Sequence, residues 1–130
     1  MADFRSIPVS WLTLITESDS PTKVFIPATG WMSATGIVDL RAILEMQGEI
    51  GAIGIDAAYQ VADNEDSPGA SAPIGPQRTA NGVYYPDDWT AVTANTNGAQ
   101  LIRFGFLITR MSGSSPVSAV ASMTVEARLG

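Results

Sequence analysis

The chain of 130 residues contains neither cysteine nor histidine. Without cysteine there is no disulfide framework, so the folded state must be stabilised by packing or by assembly with other chains. Together the two absences exclude zinc sites built on cysteine and histidine, Ser-His-Asp and Cys-His catalysis, and a histidine pH switch. No apolar run approaches the roughly 18 residues of a membrane span, and the first residues do not resemble a signal peptide. We therefore expect synthesis in the cytoplasm and no membrane partner.

Charge is also scarce, because charged residues make up 15% of the chain where about a quarter is usual. The formal net charge is −6, and the seven basic residues are scattered rather than clustered. They are Arg5, Lys23, Arg41, Arg78, Arg103, Arg110 and Arg128. A phosphate backbone or an anionic membrane surface is bound by clustered cations, so we expect neither nucleic acid nor membrane as a partner.

The clearest pattern that is present lies in residues 117–129, where apolar and polar side chains alternate. The apolar set contains Val117, Ala119, Ala121, Met123, Val125, Ala127 and Leu129. The polar set contains Ser118, Ser122, Thr124, Glu126 and Arg128, with Val120 as the exception. Because successive side chains of a strand point to opposite faces, this pattern predicts a strand with one face in a core and the other in water.

Segments rich in β-branched and aromatic residues predict further strands over residues 9–16, 23–26, 49–61, 89–96 and 100–110. Gly51 and Gly54 predict a bulge, a bend or a close backbone approach within the third of these. Residues 100–110 are apolar on both faces near Phe104, which predicts a central strand covered on both sides. We expect this strand to form a closing hairpin with residues 117–129. Polar turns are expected at residues 18–21, 95–98 and 112–116.

Residues 37–47 fit two periods. As a strand they place Val38, Leu40, Ala42, Leu44 and Met46 on one face. As a helix they form a plausible apolar stripe of good helix formers. The strand is favoured because the alternation is sustained and the surrounding sequence is β.

Turns about every ten residues predict an all-β fold, an antiparallel β-sandwich or jelly roll of about seven or eight strands. The sequence divides into an N-terminal arm, residues 1–8, and a single domain, residues 9–130. Residues 63–86 are rich in proline and glycine and follow no period, so they predict one long loop. Loops of this length in compact domains are usually functional or disordered.

Acidic side chains form two groups, one at Asp63, Glu65 and Asp66 and one at Asp87 and Asp88. Glycoside hydrolysis needs two positioned carboxylates, and a calcium ion needs about six to eight oxygen ligands. Both groups lie in loop-like sequence, and the first does not match the calcium loop of a helix-loop-helix site. Solvated loop acids are favoured, with a calcium site and a carboxylate hydrolase as alternatives.

Three aromatic residues, Tyr84, Tyr85 and Trp89, are close enough in sequence to form a sugar-binding platform. The competing interpretation is that Trp89 anchors the core while the tyrosines cover the long loop. Packing is favoured because aromatic side chains dominate the core energetics of small β-domains. A carbohydrate-binding module stays open as an alternative function.

The segment Ala-Ala-Tyr-Gln-Val-Ala-Asp at residues 57–63 leads into the proline- and glycine-rich loop, and Trp89 and the strand Ile-Arg-Phe-Gly-Phe at residues 102–106 follow. Together with the low charge and the absence of cysteine and histidine, this order of segments resembles the small β-sandwich proteins of tailed-bacteriophage virions. These are capsid decoration or cement proteins and related head or tail accessory proteins. The resemblance implies a structural virion protein that binds the major capsid protein lattice, commonly as a trimer, without catalysis or a cofactor.

We expect the arm and the long loop to supply the contacts with partner chains. The candidate partner-binding residues are Phe4, Arg5, Ile7, Arg78, Tyr84 and Tyr85. If the arm acts in this way, deletion of residues 1–7 weakens binding and leaves the β structure intact. A homo-oligomer is expected because exposed sheet edges with few charged residues invite pairing with a second copy.

Overall fold

The computed structural model describes residues 3–16, 23–86, 88–92, 101–111 and 117–130, with the side chains of 3–5 and 10–16 outside the described set. The described residues form ten strands. They are β1 (Asp3–Thr16), β2 (Val24–Pro27), β3 (Met32–Ser33), β4 (Ile37–Ile50), β5 (Ile53–Ala62), β6 (Pro68–Pro73), β7 (Gly82–Tyr84), β8 (Thr90–Ala91), β9 (Leu101–Arg110) and β10 (Val117–Leu129). The predicted turns at 18–21, 95–98 and 112–116 lie wholly or largely outside the described residues.

The strands form two antiparallel sheets of five strands each. The first sheet has the order β1-β10-β4-β7, with β8 also paired to β4. The second has the order β2-β9-β5-β6, with β3 also paired to β9. The first strand thus pairs with the tenth, the second with the ninth, the fourth with the seventh and the fifth with the sixth. This is a long hairpin rolled into two sheets, a jelly roll, so the predicted fold class is confirmed.

The core lies between the sheets and is lined by the alternate residues of each long strand. On β4 the buried residues are Ile37, Leu40, Ala42, Leu44 and Met46, while Val38 of the predicted inward face is only partly buried. The alternation from Leu40 to Met46 confirms the strand over the helix. On β10 the predicted inward set from Val117 to Ala127 is buried. Its largest fully buried partners from the second sheet are Tyr59, Phe104 and Phe106.

Strand β9 is central in the second sheet, as predicted, and is buried on both faces from Phe104 onward. The expected hairpin with β10 is wrong, because β10 lies in the first sheet between β1 and β4. The physical reason is that both strands carry an apolar face toward the same core. Their buried residues belong to one core between the two sheets, and the strands do not pair within one sheet.

The predicted strand over residues 49–61 is two strands in different sheets. Strand β4 ends at Ile50 and β5 begins at Ile53, so the chain changes sheet at Gly51 and Ala52. Gly51 has φ +78°, and a Cβ there would lie 2.6 Å from Cγ1 of Val117. The predicted bend is therefore real, and only glycine provides both the backbone conformation and the close approach.

Residues 63–86 are also more ordered than predicted, because they contain β6 and β7. Strand β6 has the sequence Pro-Gly-Ala-Ser-Ala-Pro and is mostly exposed. It lies at the edge of the second sheet. Edge strands have one row of unpaired backbone groups and little burial, so they tolerate proline and show no apolar period.

The boundary of the predicted arm at Pro8 falls inside β1, because residues 3–8 pair with residues 124–129 of β10. Proline is tolerated there because β1 is the edge strand of the first sheet. Of the other predicted strands, residues 23–26 correspond to β2. Residues 89–96 are described only as far as residue 92 and contain β8.

Candidate functional site

The strand that borders β4 at the edge of the first sheet is interrupted. Strand β7 pairs with residues 44–46 of β4, and β8 pairs with Asp39 and Leu40. Between them Tyr85, Pro86, Asp88 and Trp89 lie outside the two strands, and Pro86 has no N–H to donate. This interruption leaves the edge of β4 uncovered near Ala42, and a cavity opens there.

We call this cavity the edge pocket. Its volume is about 150 Å³. Its apolar lining comes from both sheets and from the segments that follow β6 and β7, and consists of Ala42, Leu44, Ala57, Ile74, Pro76 and Pro86. Its polar and aromatic lining consists of Arg41, Arg78, Tyr84, Asp88, Trp89 and Thr90. An apolar cleft with a few convergent polar groups is the usual composition of a small-molecule site.

Trp89 is held on one side of the edge pocket by two arginines. The guanidinium carbons of Arg41 and Arg128 lie 4.3 and 4.5 Å from the centre of its ring system. Each arginine is paired with the carboxylate directly across the strand pair of β4 and β10. Arg41 Nη2 donates to Glu126 Oε2 at 2.9 Å, and Arg128 Nε donates to Asp39 Oδ2 at 2.8 Å. The Trp89 cluster, made of these five residues, fixes the end of the interrupted segment on the sheet.

Arg78 and Tyr84 form the other charged wall of the pocket. The guanidinium carbon of Arg78 lies 4.6 Å from the centre of the Tyr84 ring. The backbone N–H and C=O of Arg78 both bond to Ile55, each at 2.8 Å. The Tyr84 hydroxyl donates to the carbonyl of Ala80. Both side chains are therefore positioned by contacts that do not involve a ligand.

The predicted partner-binding residues separate into two groups. Arg78, Tyr84 and Tyr85 lie near β7, whereas Phe4, Arg5 and Ile7 lie on β1 at the opposite edge of the first sheet. Ile7 is partly buried and packs against the core, so it is not a free contact. The side chains of Phe4 and Arg5 lie outside the described residues.

The predicted sugar platform is only partly assembled. Tyr84 and Trp89 line the edge pocket, while Tyr85 is 69% exposed and does not line it. Sequence reasoning missed Arg41 and its partners. The alternation along β4 and β10 indicates that these side chains face outward. The pairing register that brings Arg41 opposite Glu126 could not be predicted from the sequence.

The acidic groups do not come together as a metal or hydrolase site in the part of the chain that is described. Asp63, Glu65 and Asp66 are exposed in the turn between β5 and β6. Asn64 organises that turn, because its Oδ1 accepts from the N–H of Asp66 at 3.0 Å. Asp88 lies in the edge pocket, and Asp87 lies outside the described residues. No three potential metal-ligand side chains gather among the described residues. Nor do those residues form a helix long and apolar enough to span a bilayer.

No protein-family model matches the chain, and no curated protein matches it. Solved structures do. The chain superposes on the VP2 subviral particle of infectious bursal disease virus with a TM-score of 0.68, at 10% identity over 98% of its length. For the Gx strain of the same virus the TM-score is 0.65, at 11% identity over 99%, and for the T13 viral particle it is 0.59, at 10% over 98%. The chain spans only about a third of those chains, between 32% and 35% of their length. At this identity the likeness concerns the fold: the chain is a jelly roll similar to part of these viral proteins.

Proposed function

We propose that the chain is a non-enzymatic structural protein of a virion. The observation that supports this best is the superposition of almost the whole chain on part of VP2 from a subviral particle. Jelly rolls are a common architecture of viral capsid proteins. In its finer form the proposal is a capsid decoration or cement protein of a tailed bacteriophage, which binds the major capsid protein lattice as a homotrimer. A tail accessory protein is the alternative placement.

The outward face of the first sheet offers a surface for such a contact. Away from the Trp89 cluster this face carries a shallow groove of about 250 Å³. Its lining is mostly neutral and includes Pro8, Ile43, Val83, Ser122 and Thr124, with Glu45 as the acidic member. We call this surface the neutral face. Val83 is 49% exposed there although it is apolar.

We assign the lattice contact to the neutral face, together with the exposed Tyr85 that follows β7. A rigid sheet with little charge loses little hydration when it is covered, and many equivalent weak contacts add up on a lattice. Of the partner-binding residues predicted from the sequence, we retain Tyr85 as a lattice contact because its side chain is exposed. Ile7 leaves the proposal because its side chain packs against the core.

Co-sedimentation with capsids of the virus that carries this gene tests the assignment. Val83→Glu places a charge on the neutral face and is expected to weaken binding by about tenfold or more, because the charge would have to be desolvated. Ala91→Glu is the matched control, because Ala91 is exposed on β8 of the same broken edge. Equal binding of the two variants would remove the neutral face from the proposal. Light scattering measures the proposed trimer separately.

Carbohydrate binding is a second candidate function, favoured by the geometry of the edge pocket. The pocket brings the rings of Tyr84 and Trp89 to one cavity together with charged groups. Screening against a glycan array tests this candidate. Specific binding that is lost in Trp89→Ala supports it, and an array without specific signals counts against it.

A further inference from the structure

The edge pocket contains a cation whose charge is not matched by a described carboxylate. Arg41, Arg78 and Arg128 are three of the seven basic residues of the chain, and all three surround the pocket or its Trp89 wall. Arg41 and Arg128 are paired with Glu126 and Asp39. Arg78 forms no ion pair with any carboxylate among the described residues.

The guanidinium of Arg78 is oriented before any ligand arrives. Its guanidinium carbon lies 4.6 Å from the centre of the Tyr84 ring, and its backbone is tied to Ile55 by two hydrogen bonds. Stacking uses the face of a guanidinium and leaves the N–H groups at its edge available. Those N–H groups form a fork whose geometry matches a carboxylate, and an ordered fork loses little entropy on binding.

The other walls of the pocket suit a small ring that has both apolar and polar edges. Trp89 and Ile74 supply an aromatic and an aliphatic surface, while Asp88 and Thr90 supply an acceptor and a hydroxyl. The volume of about 150 Å³ is similar to that of a cavity that holds one benzene ring, so a sugar ring, which has about twice as many heavy atoms, would fill the pocket and extend out of its open side. A monosaccharide has an apolar ring face and hydroxyl groups at its edge, so it can use every one of these walls.

We propose that the edge pocket binds a monosaccharide that carries a carboxylate, of the uronic acid class, with Arg78 binding the carboxylate. Trp89 and Ile74 border the sugar ring, and Asp88 accepts hydrogen bonds from the sugar hydroxyls. This inference rests on the carbohydrate-binding candidate for the same site and is independent of the virion role.

An acidic peptide segment fits the pocket less well. The exposed turn that follows β5 would bring Asp63, Glu65 and Asp66 in a second copy of the chain. One of these carboxylates could reach Arg78, but the three together would bring an excess of negative charge to a pocket that already contains Asp88. The turn also has no apolar side chain to cover Trp89 and Ile74.

The test is a titration of the ¹⁵N-labelled chain followed by NMR, with methyl glucuronide and methyl glucoside as a matched pair of probes. The two probes differ at the carboxylate alone. Arg78→Gln removes the cation, and Arg78→Lys keeps the charge but removes the fork. Arg103→Gln is the control, because Arg103 stacks at 4.3 Å on Trp31 and bonds to Gln60 in the second sheet. Arg103→Gln therefore removes the same positive charge as Arg78→Gln, but at a position away from the edge pocket. Dispersed spectra show which variants are folded.

The glucuronide is expected to shift the amides of residues 74–78 and 88–90 and to bind about tenfold or more tightly than the glucoside. Arg78→Gln is expected to remove this preference, Arg78→Lys to reduce it, and Arg103→Gln to leave it unchanged. Equal binding of both sugars would overturn the inference while leaving carbohydrate binding in place. If neither sugar binds, both the uronic acid inference and the carbohydrate-binding candidate are overturned. Binding of a peptide with the sequence of residues 62–67 in place of the sugars, lost in Arg78→Gln, would also overturn it and assign the pocket to a protein partner.

Discussion

Gly105 in the middle of β9 is a position where a single methyl group should be costly. A Cβ on Gly105 would lie 2.1 Å from the carbonyl oxygen of Ile26 and 2.8 Å from Cα of Pro27. Both are backbone atoms of β2, so no side-chain rotation can relieve the contact. Gly105→Ala is therefore expected to push β2 away from β9.

The size of the effect follows from the hydrogen bonds at that point. Displacing β2 and the turn after it strains the pairing of Pro27 with Gly105 and the bonds from the N–H groups of Ala28 and Thr29 to the carbonyl of Phe104. Two or three weakened backbone bonds correspond to about 2–3 kcal/mol of the free energy of unfolding.

Urea unfolding followed by tryptophan fluorescence measures this loss. Gly30→Ala is the matched control, because a Cβ there meets nothing within 4 Å and the backbone is not in the left-handed region. That control is expected to be neutral or slightly stabilising. If Gly105→Ala unfolds within about 0.5 kcal/mol of Gly30→Ala, the packing of β2 on β9 described above is refuted.

Three further predictions concern the sheet faces and the first strand. Trp89→Ala should cost about 1–2 kcal/mol, and in that background Arg128→Ala should cost less than it does in the parent, which a double-mutant cycle measures. Lys23→Met should cost about 1–3 kcal/mol in urea unfolding, because Asp56 is only 2% exposed and its Oδ2 accepts from Lys23 Nζ at 2.9 Å; Lys23→Arg should be milder. Deletion of residues 1–7 should lower the thermal midpoint, since it removes residues 3–7 from β1; an unchanged midpoint in a thermal scan would instead support residues 1–8 as a separate arm.

The long strands could be predicted because they record burial in their sequence. On β4, Leu40 and Ala42 face the core, and on β10 Val125 does. Their neighbours along each strand face outward, so apolar and polar residues alternate with a period of two in the sequence. Strands β6 and β7 could not be predicted, because they are short and their own side chains bury little. The alternation of apolar and polar residues shows that a strand has a buried face but does not show which sheet the strand joins. The sequence therefore predicts a β9–β10 hairpin that the structure does not contain.

Only part of the edge pocket could be predicted from the sequence, because several of its walls depend on contacts between distant residues. Tyr84 and Trp89 are close in sequence, so their proximity was foreseen. Arg41 reaches Trp89 through the register of β4, and Arg78 reaches Tyr84 through its bridge to Ile55. Both depend on contacts between residues far apart in the chain, which no local pattern reveals.

We proposed above that this jelly roll is a structural part of a virion. Mass spectrometry of gradient-purified particles of the virus that carries the gene, with cryo-electron microscopy of the same particles, tests it most directly. The account predicts this chain in near-stoichiometric ratio to a capsid or tail protein, with ordered density for a two-sheet domain. Particles that are complete and infectious without the chain, or a chain found only in the infected cell, would contradict it.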